Sequence, residues 1–284
     1  MRLLSDEVKA ELRAMEQSIA RVMFRRTREK AWAGVQRYFI LALLVTFWQL
    51  SIGLGWIERE YLPSPIEILS RLADLVFISG AIWNHFAASM MRLAIGLGIT
   101  VAVAVPLGLA MGWSAGFSRF VDSIVESIRP IPPIAMIPLA IFYLGIGDAS
   151  KIFIIMMGTF FPLLLNTITG VKTTDPLLVS AARTLGARTP QVLWRVVVPS
   201  AFPYIFTGFR ISFGIGLIVL VAAEMVAAVT GLGFFILRAE MTWQLEDMFC
   251  GIIMISLTGL MMNALLMRFE ARYFGWFLAM KSSS

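Results

Sequence analysis

One cysteine and one histidine stand in the whole chain, Cys250 and His85. A lone cysteine excludes a disulfide framework within the chain. With so little histidine beside it, it also argues against a cysteine-rich tetrahedral metal site. Charge is scarce too: Asp, Glu, Lys and Arg make up 15% of the residues, against about a quarter in water-soluble domains. No G-x-x-x-x-G-K-[ST] loop is present, so the sequence offers no P-loop for a nucleotide phosphate.

Apolar residues fill that space. They reach 58% of the chain, with a mean hydropathy of +0.81, and point to an integral membrane protein. A helical span needs roughly 20 apolar residues. That ruler gives about six candidates: 38–57, 82–113, 131–147, 152–171, 204–229 and 248–269. The second is long enough to tilt or protrude. The third is short and extends backwards through 121–129, and the last begins beside Glu246 and Asp247. The expected fold is therefore all-α and polytopic.

The net charge of +6 is explained by its placement. With six spans both termini share a side. That side collects nine basic residues between Arg2 and Arg37, then Arg119, Lys172, Arg183, Arg188, Arg195, Arg268, Arg272 and Lys281. The other side receives Arg59, Arg71, Lys151 and Arg238. Positive residues mark the cytoplasmic face, so both termini are expected there. A charge distributed in this way argues against nucleic acid as a partner.

Residues 1–37 do not read as a signal peptide, since they mix charges of both signs without a short apolar core. Val8, Leu12, Met15, Ile19 and Val22 recur at helical spacing, with Ser5 and Asp6 as caps. The reading is an amphipathic arm on the anionic inner leaflet of membrane lipid, or a docking element for a cytoplasmic partner. The chain thus divides into this arm (1–37), a transmembrane domain (38–272) with a polar loop at 172–203, and a short tail (273–284).

That loop contains SAARTLGARTPQVLWRVVVPSAFP, from Ser180 to Pro203. Residues 177–185 have a helical pattern with small residues at Ala181 and Ala182. Gly186 is suited to stop the helix in the left-handed conformation. Thr189 and Pro190 are placed to restart one, and Pro199 and Pro203 are expected to break the chain before the next span. The result is a helix–turn–helix knob that a partner's backbone approaches closely, with arginines for acidic groups.

The cassette resembles the EAA loop of bacterial ABC importer permeases. That loop reads Glu-Ala-Ala, three residues, Gly, nine residues, Ile, one residue, Leu-Pro. Here Ala181, Ala182, Gly186 and Pro199 match at the same spacings, Val196 and Val198 replace Ile and Leu, and Ser180 replaces Glu. Residues 62–65, 85–112, 129–147, 223–225 and 231–233 are similar to the nitrate/sulfonate/taurine-type permeases. The resemblance implies a homodimer with two cytoplasmic ATP-binding subunits and a periplasmic or lipid-anchored substrate-binding protein. ATP and Mg would then sit on the partner subunits, with no cofactor or metal on this chain and no enzyme activity of its own. It implies a bacterial inner-membrane location. It also implies that Ser180, Ala181, Ala182, Arg183, Leu185, Gly186 and Pro199 carry the coupling. Arg183 or Arg188 would stand in for the missing glutamate. The solute is expected to be small, polar and anionic: nitrate, a sulfonate such as taurine, or bicarbonate. An aromatic acid or a vitamin precursor is the alternative.

Ionisable residues inside a span are costly and mark function. Glu224 lies deep in the fifth run and reads as a pathway or gate residue, or as an internal pairing partner. His85 and Arg92 lie seven apart on one helix and share a face. Arg92 would attract an anion or pair with Glu224, and His85 would be a satisfied interfacial histidine or a pathway residue. Asn166 reads as inter-helix glue or a pore contact, Met225 as a further pathway or gate candidate, and Arg210 as a snorkelling residue. Gly108 and Gly112 allow close helix approach. Gly112-Trp113-Ser114-Ala115-Gly116 matches the G-x-S-x-G hydrolase elbow. A helix precedes Ser114, however, and His85 lies about 40 Å away along it, so an intramembrane hydrolase is a remote alternative. A membrane scaffold without transport is another.

Overall fold

The computed structural model describes residues 39–273 apart from positions 41 and 59. The amphipathic arm read at 1–37 and the tail beyond Tyr273 lie outside the described residues. By backbone packing the chain divides into two units, 1–67 and 68–284. Every regular element among the described residues is helical.

In the first unit, α1 covers Ala42–Gly53. The segment Leu62–Glu67 then prepares the next helix. The Ser64 N–H donates to Glu67 Oε2 at 2.9 Å, and the Glu67 N–H donates to Ser64 Oγ at 3.2 Å. This is a reciprocal capping box with Pro65 in the first helical position. It launches α2 (Pro65–Ala73), which runs on into a wide π turn at Asp74–Ile78.

The second unit holds the long helices. They are α3 (Ala81–Trp113), α4 (Ala115–Ile128), α5 (Ile137–Leu144), α6 (Asp148–Lys172), α7 (Pro176–Thr184), α8 (Thr189–Val192), α9 (Val198–Ala227), α10 (Leu232–Met241) and α11 (Leu245–Tyr273). Among the described residues four stretches are long and apolar enough to cross a membrane: α3, α6, the continuous run Thr189–Ala227, and α11. A fifth is the pair α4 and α5 taken together, bent by 76°. The sixth stretch read from sequence, 38–57, contains α1, a shorter apolar helix.

One expectation is met and one is corrected here. The span read at 131–147 and extended back through 121–129 is bent at the proline-rich stretch 130–138, where the sequence marks interrupted backbone hydrogen bonding. Pro130, Pro132 and Pro133 interrupt the backbone between α4 and α5, since proline lacks the N–H and restricts the residue before it. Conversely, Pro199 and Pro203 do not break the chain. The Val198 N–H bonds to Leu193 O, closing a π turn at Leu193–Val197. Such a turn has one residue too many, so one carbonyl in the ladder is left over. A proline placed just after it therefore removes little. Pro203 is carried inside α9, and Thr207 Oγ1 donates to its carbonyl at 2.9 Å. The second half of the loop read at 172–203 is thus the start of a span.

Helix α6 is the centre of the unit and packs on both α3 and α9. Leu93 and Leu97 of α3, Ile155 of α6, and Phe213, Leu217 and Leu220 of α9 form one buried cluster. Small residues make this approach possible. A Cβ on Gly108 would fall 2.7 Å from Thr167 Cβ, and one on Gly112 would meet Val171. The oxygens of Thr100 and Thr159 lie 2.7 Å apart across the same seam. Elsewhere apolar residues face outward, as Ile95 and Ile99 on α3 and Leu257 and Leu260 on α11 do. A helix in lipid requires such an exterior.

Candidate functional site

Two places depart from plain helix packing. The first is the connection between α6 and α9. Asp175 caps α7, accepting from the Leu177 N–H at 2.8 Å, and Pro176 occupies the first turn. The far end closes as a Schellman motif. The Gly186 N–H donates to Arg183 O at 2.9 Å, and the Ala187 N–H to Ala182 O at 3.0 Å. Gly186 has φ 80°, a conformation that a side chain disfavours. The next helix begins at Thr189 with Arg188, not Thr189, in the capping position. The Gln191 side chain returns to the Arg188 N–H at 2.8 Å.

Val179 and Ala182 anchor this knob on a buried cluster of Val171, Val192, Val197 and Ala201. Ser180, Ala181, Arg183, Gly186 and Pro199 are exposed. Leu177 is 76% exposed and Leu185 88% exposed. The knob is therefore a folded, anchored element with uncovered leucines on its rim.

The second place is a buried charge cluster where α9 ends. Glu224 is fully buried and Arg92 nearly so. Arg92 Nη1 donates to Glu224 Oε1 at 2.7 Å and to Thr230 O at 2.6 Å. Its Nη2 donates to Thr230 Oγ1 at 3.0 Å, and its Nε donates to Asp148 Oδ1 at 2.7 Å. Ser89 Oγ lies 2.8 Å from Glu224 Oε2 and accepts from the Leu232 N–H at 2.8 Å. The Gly233 N–H donates to Glu224 Oε2 at 2.9 Å. His85 Nδ1 accepts from the Gly231 N–H at 3.2 Å, which puts the ring proton on Nε2. A Cβ on Gly231 would collide with the Glu224 carboxylate.

The structure thus joins His85, Arg92 and Glu224 and leaves the other two pathway candidates apart. Asn166 Nδ2 donates to Pro162 O at 2.7 Å, with its Cβ beside Gly208. Met225 is half-buried on α9. Arg210 donates to Glu270 Oε2 at 2.9 Å. Ser114, the serine of the G-x-S-x-G match, is the N-cap of α4 and accepts from the Phe117 N–H. Sequence reading missed Ser89, Asp148 and Thr230. Ser89 was findable, being three residues before Arg92 on the same helix face. Asp148 was a weaker signal, an acid in the first turn of a helix. The glycines of 230–233 marked a backbone break, but nothing local marked Thr230 as a partner of Arg92.

A family described as the binding-protein-dependent transport system inner membrane component matches residues 94–275. The chain belongs to that family. It is 36% identical over 240 residues to the taurine transport system permease protein TauC of Escherichia coli (strain K12), covering 83% of this chain and 87% of that protein. It is 30% identical over 247 residues to SsuC of Bacillus subtilis (strain 168), named for aliphatic sulfonate transport, covering 87% and 89%. Among solved structures, a chain of the MetNI methionine ABC transporter, facing inward, superposes with a TM-score of 0.58 at 19% identity. That match covers 67% of this chain and 96% of the other, and it shows the fold. The chain is accordingly a multi-pass permease subunit of an ABC importer, and its relatives are transport proteins rather than enzymes.

Proposed function

We propose that this chain, as a homodimer, forms the inner-membrane pathway of an importer for taurine or a related aliphatic sulfonate. The similarity to TauC over 83% of the chain carries the substrate class. Two ATP-hydrolysing subunits bind at the cytoplasmic side, and ATP and Mg belong to them. A solute-binding protein delivers from outside. The distribution of basic residues supports a cytoplasmic position for both termini and the α7 knob. There the exposed rim of α7, from Leu177 to Leu185, seats on the ATP-hydrolysing subunit and takes up its closing motion. The full EAA-loop spacing and the rigid Schellman closure support that role. The knob is held by its own backbone, so it moves as a body.

Taurine uptake by proteoliposomes holding the assembled transporter tests the substrate class. Leu185→Glu tests the knob. Leu185 is uncovered, so its replacement leaves the chain folded while setting a charge against the partner. At least a tenfold drop in taurine-stimulated ATP hydrolysis is expected. Unchanged stimulation, with the subunits still assembled, would remove α7 from the coupling path.

A further inference from the structure

A buried arginine in a permease for anions invites the reading that it attracts the solute. The geometry points elsewhere. We propose that Arg92, Glu224, Ser89 and Asp148 are positioning residues that clamp the α9–α10 turn to the far end of a coupling rod, and that Arg92 does not touch the solute. This rests on the permease reading above.

The bonds of Arg92 come first. Four of its five N–H donors are engaged, by Asp148, Glu224 and both oxygens of Thr230. Only 3% of the residue is exposed. The charges come second. Arg92 and Lys151 face Glu224 and Asp148, so the cluster is neutral. Lys151 is buried, with its Nζ donating to Ile146 O at 2.6 Å and Gly147 O at 3.0 Å. Among these four groups no surplus positive charge is left for a sulfonate. Of the four charged side chains the Asp148 carboxylate is the best exposed, at 46%, and it repels anions.

The turn itself comes third. Thr230, Gly231, Leu232 and Gly233 are gripped one after another by Arg92, His85, Ser89 and Glu224. Four successive residues held by side chains of α3 and α9 make a clamp. Its position comes last. Thr189–Ala227 is one helical run of 39 residues, about 58 Å long at the usual rise. The α7 knob packs at its first turns, and Glu224 sits in its last. A push on the knob therefore arrives at the clamp, which passes it to α3 through Arg92 and Ser89 and to α6 through Asp148. The turn carries Val229, 78% exposed, as the surface that moves.

The test is a double-mutant cycle in the assembled transporter, in proteoliposomes with taurine as probe. Arg92→Gln and Glu224→Gln are each expected to cut uptake at least tenfold, with ATP hydrolysis per assembled complex falling less than threefold. The double variant, neutral and still hydrogen-bonding, is expected to recover uptake to within about threefold of wild type. A double variant no better than Arg92→Gln makes Arg92 a solute ligand and overturns the proposal. Uptake and hydrolysis falling in parallel makes the cluster a plain structural element and overturns it equally. Wild-type uptake, run first, judges the substrate reading by itself. Should taurine not be carried, maleimide labelling of Val229→Cys in detergent replaces uptake, because Cys250 is buried. ATP is then expected to change the labelling rate at least threefold with Arg92 present and not in Arg92→Gln. No ATP effect in either overturns the clamp.

Discussion

The α7 knob and the α9–α10 clamp each use a glycine of positive φ, Gly186 at 80° and Gly231 at 125°, yet they are held in opposite ways. The knob is closed by its own backbone, with bonds spanning three to five residues. The clamp is closed by side chains drawn from positions more than 130 residues apart. A Cβ on Gly186 would meet open space, whereas one on Gly231 would strike Glu224. An element that must be gripped by another protein keeps its outer surface free. An element that must hold helices together turns its bonds inward.

Breaking the clamp is expected to cost most. Glu224→Ala strands a buried guanidinium and should destabilise the folded chain by about 3–5 kcal/mol, read as a lower thermal midpoint in detergent. Close behind is Gly108→Leu, which drives a side chain into Thr167 on α6. About 1–3 kcal/mol is expected from such overpacking, and a midpoint equal to wild type would refute the α3–α6 seam. At the knob the stability effects shrink. Asp175→Ala removes the α7 cap and should cost about 1 kcal/mol. Gly186→Ala should cost about 1–2 kcal/mol through its left-handed backbone. For both, a fall in taurine-stimulated ATP hydrolysis larger than the stability change would sharpen the contrast. Smallest is Arg210→Ala, which breaks a partly exposed pair with Glu270 and should cost about 0–1 kcal/mol.

Much of the knob was legible in the chain because its determinants are local. Asp175-Pro176 starts a helix and Gly186 ends it, and the spacing through to Pro199 carried the family resemblance. The long spans were legible for the same reason: apolar length is a local property. The clamp was only half legible. Arg92 and Glu224 announced themselves as charges in apolar runs, but Ser89 and Thr230 are ordinary residues until α3 and the turn meet. The prolines misled in one place and informed in another. Pro199 and Pro203 look like breakers, and the π turn at Leu193–Val197 absorbs them. Pro130, Pro132 and Pro133 marked an interruption that was legible in the sequence, and the backbone bends by 76° there.

The sequence by itself determined that this is a helical membrane protein, where its long helices run, and that a glycine-stopped knob precedes the α9 run. Composition, periodicity and caps act over a few residues and need no partner. Tertiary structure alone decided that Arg92 serves Glu224, Asp148 and Thr230 together, that Gly108 faces Thr167, and that one unbroken helix joins knob to clamp. Those outcomes depend on which helices lie side by side, and a bond between residues 92 and 224 leaves no mark on the neighbours of either.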